Sequence, residues 1–357
     1  MSKQFLYILV FFSVACQSKS DKHRETVVSY ETMRYSKQFG IAHFTSYSQL
    51  FFVDKNDTSW SLRSDETSKN NIALLSSVFA GFLEVLNAQS SICAVDKIVY
   101  YNDSLLLQYF KDGKIAEVGE EGQLKMESLL QLKPALLIAS SHTANDASIV
   151  KRLNSVGTKV IPCDNFKEQH PLARAEWIKL FGFVTGKLPQ AIQFFHQLDA
   201  NYQALKRSVN INGPKPVVMT DAMYMSVWNV PGAGTYTAQL IEDAGGQYIF
   251  KDKTDRYSYP LNFESVFNAA QNATVWIHVN QYKSKQEMLN AEPRYALFKP
   301  FANHMVFNYN KRENVLGGND FWETGVVRPD WVLHDLIRIF SMDKNTYSDL
   351  YFYNRLD

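Results

Sequence analysis

PLARAEWIKLFGFVTGKLPQAIQFFHQLDANYQALKRSV, residues 171–209, carries apolar side chains at spacings of three and four almost without a break. That is the period with which an amphipathic α-helix buries one face. The run is interrupted only at Gly186-Lys187-Leu188-Pro189, and proline is well placed in the first turn of a helix. Two consecutive helices are therefore expected, the second from Pro189 to about Val209. On either side the pattern changes to short β-rich runs alternating with short helical ones. The long helix divides the chain, and the expected fold class is α/β: two α/β lobes joined by a single long rigid helix.

Upstream, Ile72 to Leu75 suits a buried strand, Ser76 and Ser77 can cap a helix over Val78 to Leu86, and SICAVD follows as a second strand. A strand–helix–strand unit of this kind seeds a parallel sheet. Met126 to Leu132 predicts a helix ended by Lys133-Pro134, and ALLIAS (135–140) a strand. Asp146 to Val156 predicts a helix stopped by Gly157, with TKVIPCD as the next strand. Downstream, strands are expected over Pro216 to Thr220, Ala273 to Val279 and around Met305 to Tyr309. Helices are expected over Tyr236 to Asp243, Phe263 to Ala269 and Trp331 to Phe340. Ahead of the lobes, Ser36 to Asp54 predicts a small hairpin, and Asp54 to Asn71 is polar enough to be a loop.

At the N-terminus Lys3 precedes FLYILVFF (5–12), which is far short of the ~20 apolar residues of a membrane-spanning helix. A positive start, a short apolar core and small residues before a break describe an export signal. Ser13, Val14 and Ala15 ahead of Cys16 resemble the lipobox of bacterial lipoproteins, in which the cysteine thiol is lipidated and becomes the first residue. The expected division is a signal peptide at 1–15, a lipidated tether and β-hairpin at 16–71, an N-terminal lobe at 72–185, a connecting helix at 186–212 and a C-terminal lobe at 213–357. Removing residues 1–15 removes one lysine and no acid, leaving 36 basic against 36 acidic residues. A neutral chain without a basic block excludes nucleic acid as a partner class. Cys93 and Cys163 are the other thiols; they either pair or stay separate and buried.

The segments VGEEGQLKMESLLQLKPALLIAS, PLARAEWIKLFGFVTGK, WNVPGAGTYTAQLIEDAGGQYIF, LNFESVF and GGNDFWETGVVRPDWVLHDLIRIF, in this order and spacing, resemble the periplasmic substrate-binding proteins of ABC importers for iron–siderophore, haem and cobalamin, and in particular a lipoprotein branch found in Bacteroidetes. The resemblance implies a ligand cleft between the lobes, a small closure about the stiff helix, and delivery of a small-molecule metal chelate to a permease and its ATPase. It also implies a periplasmic location, lipid-anchored to the inner membrane through Cys16, and no cofactor of the protein's own. Relatives dock on the permease through one acid per lobe, and motif position maps these to Glu127 in MESLL and Glu264 in FESVF. Lys125 stands where relatives often carry Asn, whereas Asn262 supplies the expected N-cap before Glu264.

Ligand residues are expected in loops at the carboxyl ends of the strands, where open α/β sheets bind. In the first lobe these are Ser76, Ser77, Tyr100 and Tyr101. In the second they are Trp228, Tyr236, Tyr282 and Trp322, since aromatic walls suit a flat or aromatic chelate. His142 and Tyr101 are candidate axial haem ligands in principle. The histidines show no HxH or HxxxH pair, so no protein-held metal is expected. Asp320 and Glu323 are the carboxylate pair an enzyme reading would use, but GxSxG, P-loop and HExxH motifs are absent, and Glu323 is expected to bond backbone or Arg328. The alternative to an importer component is a stand-alone lipoprotein that scavenges haem or corrinoid.

Overall fold

The computed structural model describes residues 26–53, 61–66, 71–209, 213 and 215–357. Cys16, the export signal and the first part of the tether lie outside the described residues. None of the described helices is long and apolar enough to cross a membrane.

The segment ahead of the lobes is more than a hairpin. β1 (Val27–Glu31), β2 (Phe39–Phe44), β3 (Ser48–Phe52) and β4 (Ser61–Arg63) form one antiparallel sheet in that order. Its inner face, Phe39, Ile41, Leu50 and Leu62, joins the main core. The expected loop after Asp54 therefore contains a strand. Leu62 is its one apolar anchor, and a single residue leaves no period to detect.

The first lobe contains β5 (Ile72–Leu74), α1 (Ser77–Val85), β6 (Ile92–Val95), α2 (Ser104–Lys111), β7 (Ala116–Glu117), α3 (Met126–Leu132), β8 (Leu136–Ala139), α4 (Ser141–Ala144), α5 (Ala147–Asn154) and β9 (Lys159–Pro162). Its parallel sheet has the order β7-β6-β5-β8-β9. The central strands β5 and β8 are buried on both faces, which is why they read as unbroken apolar runs.

Residues 171–209 form three helices where two were expected. These are α6 (Pro171–Glu176), α7 (Ile178–Thr185) and α8 (Leu188–Ser208), with Trp177 between the first two. Every residue of α6 and α7 is buried, so the apolar pattern runs through the joint unchanged. Gly186 (φ 70°) ends α7 in the left-handed conformation glycine tolerates best. α8, 21 residues long, is the connecting helix.

The second lobe follows with β10 (Val217–Thr220), β11 (Trp228–Pro231), α9 (Tyr236–Asp243), β12 (Gln247–Tyr248), β13 (Ser258–Leu261), α10 (Phe263–Ala269), β14 (Val275–Ile277), α11 (Lys285–Ala291), α12 (Lys299–Ala302), β15 (Val306–Asn308), α13 (Thr324–Val327), α14 (Pro329–Phe340) and β16 (Asn354–Arg355). The main sheet is β12-β10-β14-β15-β16, parallel except for the last pair, and β11 with β13 makes a separate antiparallel ribbon. Two sheets on either side of one long helix give the two-lobed α/β architecture.

Candidate site in the seam between the lobes

In the first lobe the strand ends place Ser76 and Ser77 half-buried at the start of α1, with no hydrogen bond to either hydroxyl among the described residues. Tyr100 is exposed at the end of β6, and its hydroxyl donates to Glu120 at 2.5 Å. Tyr101, next to it, is fully buried and accepts Asn314 Nδ2–H on its carbonyl oxygen (2.9 Å). An inaccessible phenol neither lines a ligand wall nor ligates haem, which corrects both expectations for Tyr101. His142, on α4 beyond β8, is exposed.

In the second lobe the strand ends are strained. Asp221 (φ 61°), His278 (φ 61°) and Asn280 (φ 53°) are left-handed without being glycine, a conformation that costs about 1–3 kcal/mol and clusters at functional sites. A polar lattice holds them. Asn280 Nδ2 donates to Ala222 O (2.7 Å), Asn308 Nδ2 donates to the carbonyls of Asn280 and Tyr282 (2.8 Å each), and Trp276 Nε1 donates to Asp221 O (2.6 Å). Burial lowers His278 to about 3, so it stays neutral, bonded to the Tyr353 hydroxyl at 2.6 Å. Burial raises the Asp221 carboxyl to about 7, and one of its oxygens has no partner.

Trp228 is not a wall residue. It is fully buried, stacked on Trp276 at 5.6 Å, with its Nε1 donating to Thr220 O. Tyr282 is nearly buried and packs edge-on against Tyr295, so it too belongs to the core. In both cases the ring follows its strand or loop inward onto other aromatic rings. Trp322 is 36 % exposed and sits edge-on to Tyr309 and Phe321, and Tyr236 is half-buried at the first turn of α9. Tyr224 (58 % exposed) and Met225 (81 %), in the loop after β10, present apolar surface that the sequence reading missed. Their signal was DAMYMS directly after a buried strand.

The lobes meet closely at residues 312–324. Gly318 lies against the Tyr101 carbonyl, where an added Cβ would be 2.1 Å from that oxygen, and Gly81 of α1 lies on the Glu323 carbonyl, where it would be 2.5 Å away. Glu323 accepts the backbone N–H of Asn102 (2.5 Å) and of Asp103 (3.0 Å), so its bond is to backbone, while Arg328 pairs with Asp330. Carboxylate atoms of Glu84, Asp320 and Glu323 lie within 4.8 Å of one another. Burial, then the charges of Asp320 and Asp103, raises Glu323 to about 9; burial also raises Glu84 to about 7. Asp320 is engaged by Arg312. The group lies across the seam, with Glu323 tied to the backbone of the first lobe.

On the outer surface, Glu127 is exposed in the first turn of α3, whose N-cap Lys125 makes no side-chain cap. Glu264 is exposed in the first turn of α10, whose N-cap Asn262 accepts Ser265 N–H at 2.9 Å. Arg294 Nη1 pairs with Glu264 at 3.0 Å. Cys93 and Cys163 are both free, and burial raises the Cys93 thiol to about 12, which leaves it unreactive.

This arrangement, strand ends of two lobes meeting at a seam beside one long helix, is matched by comparison with known proteins. The family described as periplasmic binding protein matches residues 72–313. The chain belongs to the periplasmic binding protein family. It is a family of solute-binding proteins rather than enzymes. An uncharacterized lipoprotein of Methanocaldococcus jannaschii is 26 % identical over 278 residues, covering 75 % of this chain; the chain spans 64 % of that relative's length. The periplasmic heme binding protein HutB of Vibrio cholerae superimposes with a TM-score of 0.58 at 21 % identity, covering 75 % of this chain and 100 % of that one. A periplasmic heme binding protein from Pseudomonas aeruginosa gives 0.56 at 17 % identity (76 % and 92 %). A periplasmic binding protein from Veillonella parvula gives 0.61 at 12 % identity (82 % and 98 %). At these identities the structures share the fold.

Proposed function

We propose that this protein captures an iron chelate, haem or a ferric siderophore, between its lobes and hands it to an ABC transporter permease from the periplasmic side, held there by a lipid on Cys16. The carrying observation is the pairing of exposed aromatic and apolar side chains at the strand ends of both lobes, Tyr100 on one side and Tyr224, Met225 and Trp322 on the other. Such surface is out of place on a solvated loop and suits a flat or aromatic ligand. The solved heme-binding proteins of the same fold support haem as a member of the class. Cobalamin is the remaining ligand class that the sequence resemblance brings.

Absorbance titration of the mature chain with haemin, a ferric tris-catecholate and cyanocobalamin tests this. One of the two iron chelates is expected to bind at one per chain, and Trp322→Ala is expected to weaken it about tenfold, the loss of an aromatic contact worth ~1–1.5 kcal/mol. Saturable binding of cyanocobalamin alone would replace the ligand class, and binding of none would refute the reading.

Glu127 and Glu264 are the proposed docking acids, one on each lobe. Exchange of both for glutamine is expected to abolish uptake in cells while leaving chelate binding unchanged, because exposed charges set encounter and register more than the cleft. Unchanged uptake would favour a scavenger without a transporter.

A further inference from the structure

Among the described residues, Arg174 is the one cation with a buried N–H that no acceptor meets. It projects from α6, is 5 % exposed, and stacks over the ring of Tyr236 on α9 of the second lobe, with 4.0 Å from its Cζ to the ring centre. Its Nε is buried without a hydrogen-bond partner, and no carboxylate among the described residues forms an ion pair with it. Buried acids on the helices that pack against α6 are taken by others: Asp199 of α8 by Arg34 and Tyr35, Asp243 of α9 by Lys206 and Tyr202, Asp330 of α14 by Arg328. Tyr236 is half-buried, makes no side-chain hydrogen bond among the described residues, and has the phenols of Tyr309 and Tyr353 as neighbours. Arg174 and Tyr236 both line a cavity of about 20 Å³ whose remaining walls are apolar, Pro171, Phe321, Val326 and Val332 among them.

A buried guanidinium N–H without an acceptor is costly, because it has left water and no hydrogen bond has replaced it. Stacking on a tyrosine face recovers a part of that cost but leaves the in-plane N–H groups unanswered. The void holds one water at most, since a water needs about 10–15 Å³ of such space. A water accepts a hydrogen bond but carries no charge. The chemistry that completes this point is a single anionic oxygen, water-sized and able to accept from the guanidinium and the phenol together.

We propose that Arg174 and Tyr236 form an anion-recognition point at the floor of the seam, so that the chelate this protein takes carries a carboxylate or other anionic oxygen which displaces water there. This rests on the reading of the seam as the ligand site and narrows its ligand class. A chelate whose carboxylates are esterified lacks the group and leaves the guanidinium N–H without an acceptor.

The test uses the full mature chain as wild type, Arg174→Met, Arg174→Lys and Tyr236→Phe, titrated with haemin, haemin dimethyl ester, a ferric tris-catecholate and cyanocobalamin. The tightest ligand of the wild type is expected to be an anionic one. Arg174→Met should weaken it ten- to a hundredfold and Tyr236→Phe less, while Arg174→Lys restores part of the loss and affinity for the dimethyl ester stays unchanged. Thermal melts without ligand separate this from a structural role, because Met in place of an unpaired buried ion is expected to keep or raise the melting temperature. A drop in melting temperature with unchanged affinity, or binding of the dimethyl ester as tight as that of haemin, would overturn the proposal. Should Arg174→Met fail to fold, Tyr236→Phe and the haemin–ester preference of the wild type still decide it: no preference for the free acid refutes it. Failure of the wild type to bind any of the four ligands would instead remove the receptor reading, and the proposal with it.

Discussion

Glu176→Ala is expected to detach the N-terminal sheet from the body of the protein and to lower unfolding free energy by about 3–5 kcal/mol, the usual cost of breaking a buried ionic network on one side. Glu176 is fully buried at the end of α6. Its two oxygens accept the consecutive backbone N–H groups of Arg34, Tyr35 and Ser36 at 2.8, 2.8 and 2.9 Å. Lys179, one turn on and also buried, bonds Glu176 at 3.1 Å, Glu31 at 2.9 Å and the Thr32 carbonyl at 2.9 Å. One carboxylate thus fixes the chain between β1 and β2. Removing it leaves three N–H donors without acceptors and Lys179 with one acid instead of two. Asp199 of α8, which binds Arg34 and Tyr35, adds a second anchor. Denaturant titration with parallel limited proteolysis checks this, the expected early cut lying within residues 27–53. A loss below about 1 kcal/mol with no new cleavage would show that the apolar face alone holds the sheet.

The second large effect is a pH slope. Glu323 titrates near 9 and Glu84 near 7 in the folded chain, both well above ordinary carboxylates. Between about pH 4.5 and 9 the folded state therefore holds protons that the unfolded chain has released, so stability falls as pH rises through that window. The groups that face each other are Glu84 from α1, Asp103 ahead of α2, and Asp320, Glu323 and Arg312 from the seam loop. Glu323→Gln removes the titration and keeps an acceptor for one of the Asn102 and Asp103 N–H groups, which bond different oxygens of Glu323, while its amide nitrogen stands in place of the other acceptor. It is expected to flatten the slope: the N–H left without an acceptor lowers stability at pH 5 by about 1–3 kcal/mol, and the deficit shrinks as pH rises towards 9 because the wild type loses its own stability there. Melting curves from pH 5 to 9 measure this. A wild-type curve that is flat or rises with pH, or a variant with the same slope, would contradict it.

Local signals in the sequence were enough where they decide an element by themselves. α3 stops ahead of Lys133-Pro134, α9 starts at its Thr235 cap and stops ahead of Gly245-Gly246, and α10 starts at its Asn262 cap. The break at Trp177 was not legible because α6 and α7 are both fully buried and share one apolar pattern. The site was legible as a place, the strand ends, but not as a set of side chains. Trp228 and Val230 point inward around an exposed Asn229, an alternation that marked the tryptophan as core had β11 been recognised as a strand. Tyr101 and Tyr100 differ by one residue and lie on opposite sides of the surface, which depends on how residues 312–318 dock. Glu176 reaches partners about 140 residues away, and Arg174 is remarkable only for what it lacks. Neither property has a sequence pattern.

The most direct test of the ligand site is the position of the iron. An anomalous difference map at the iron edge, from crystals of the mature chain with the chelate that binds it, is predicted to show one peak in the seam, within reach of both Tyr100 and Trp322. A peak on an outer face, or one contacting a single lobe, would contradict the account.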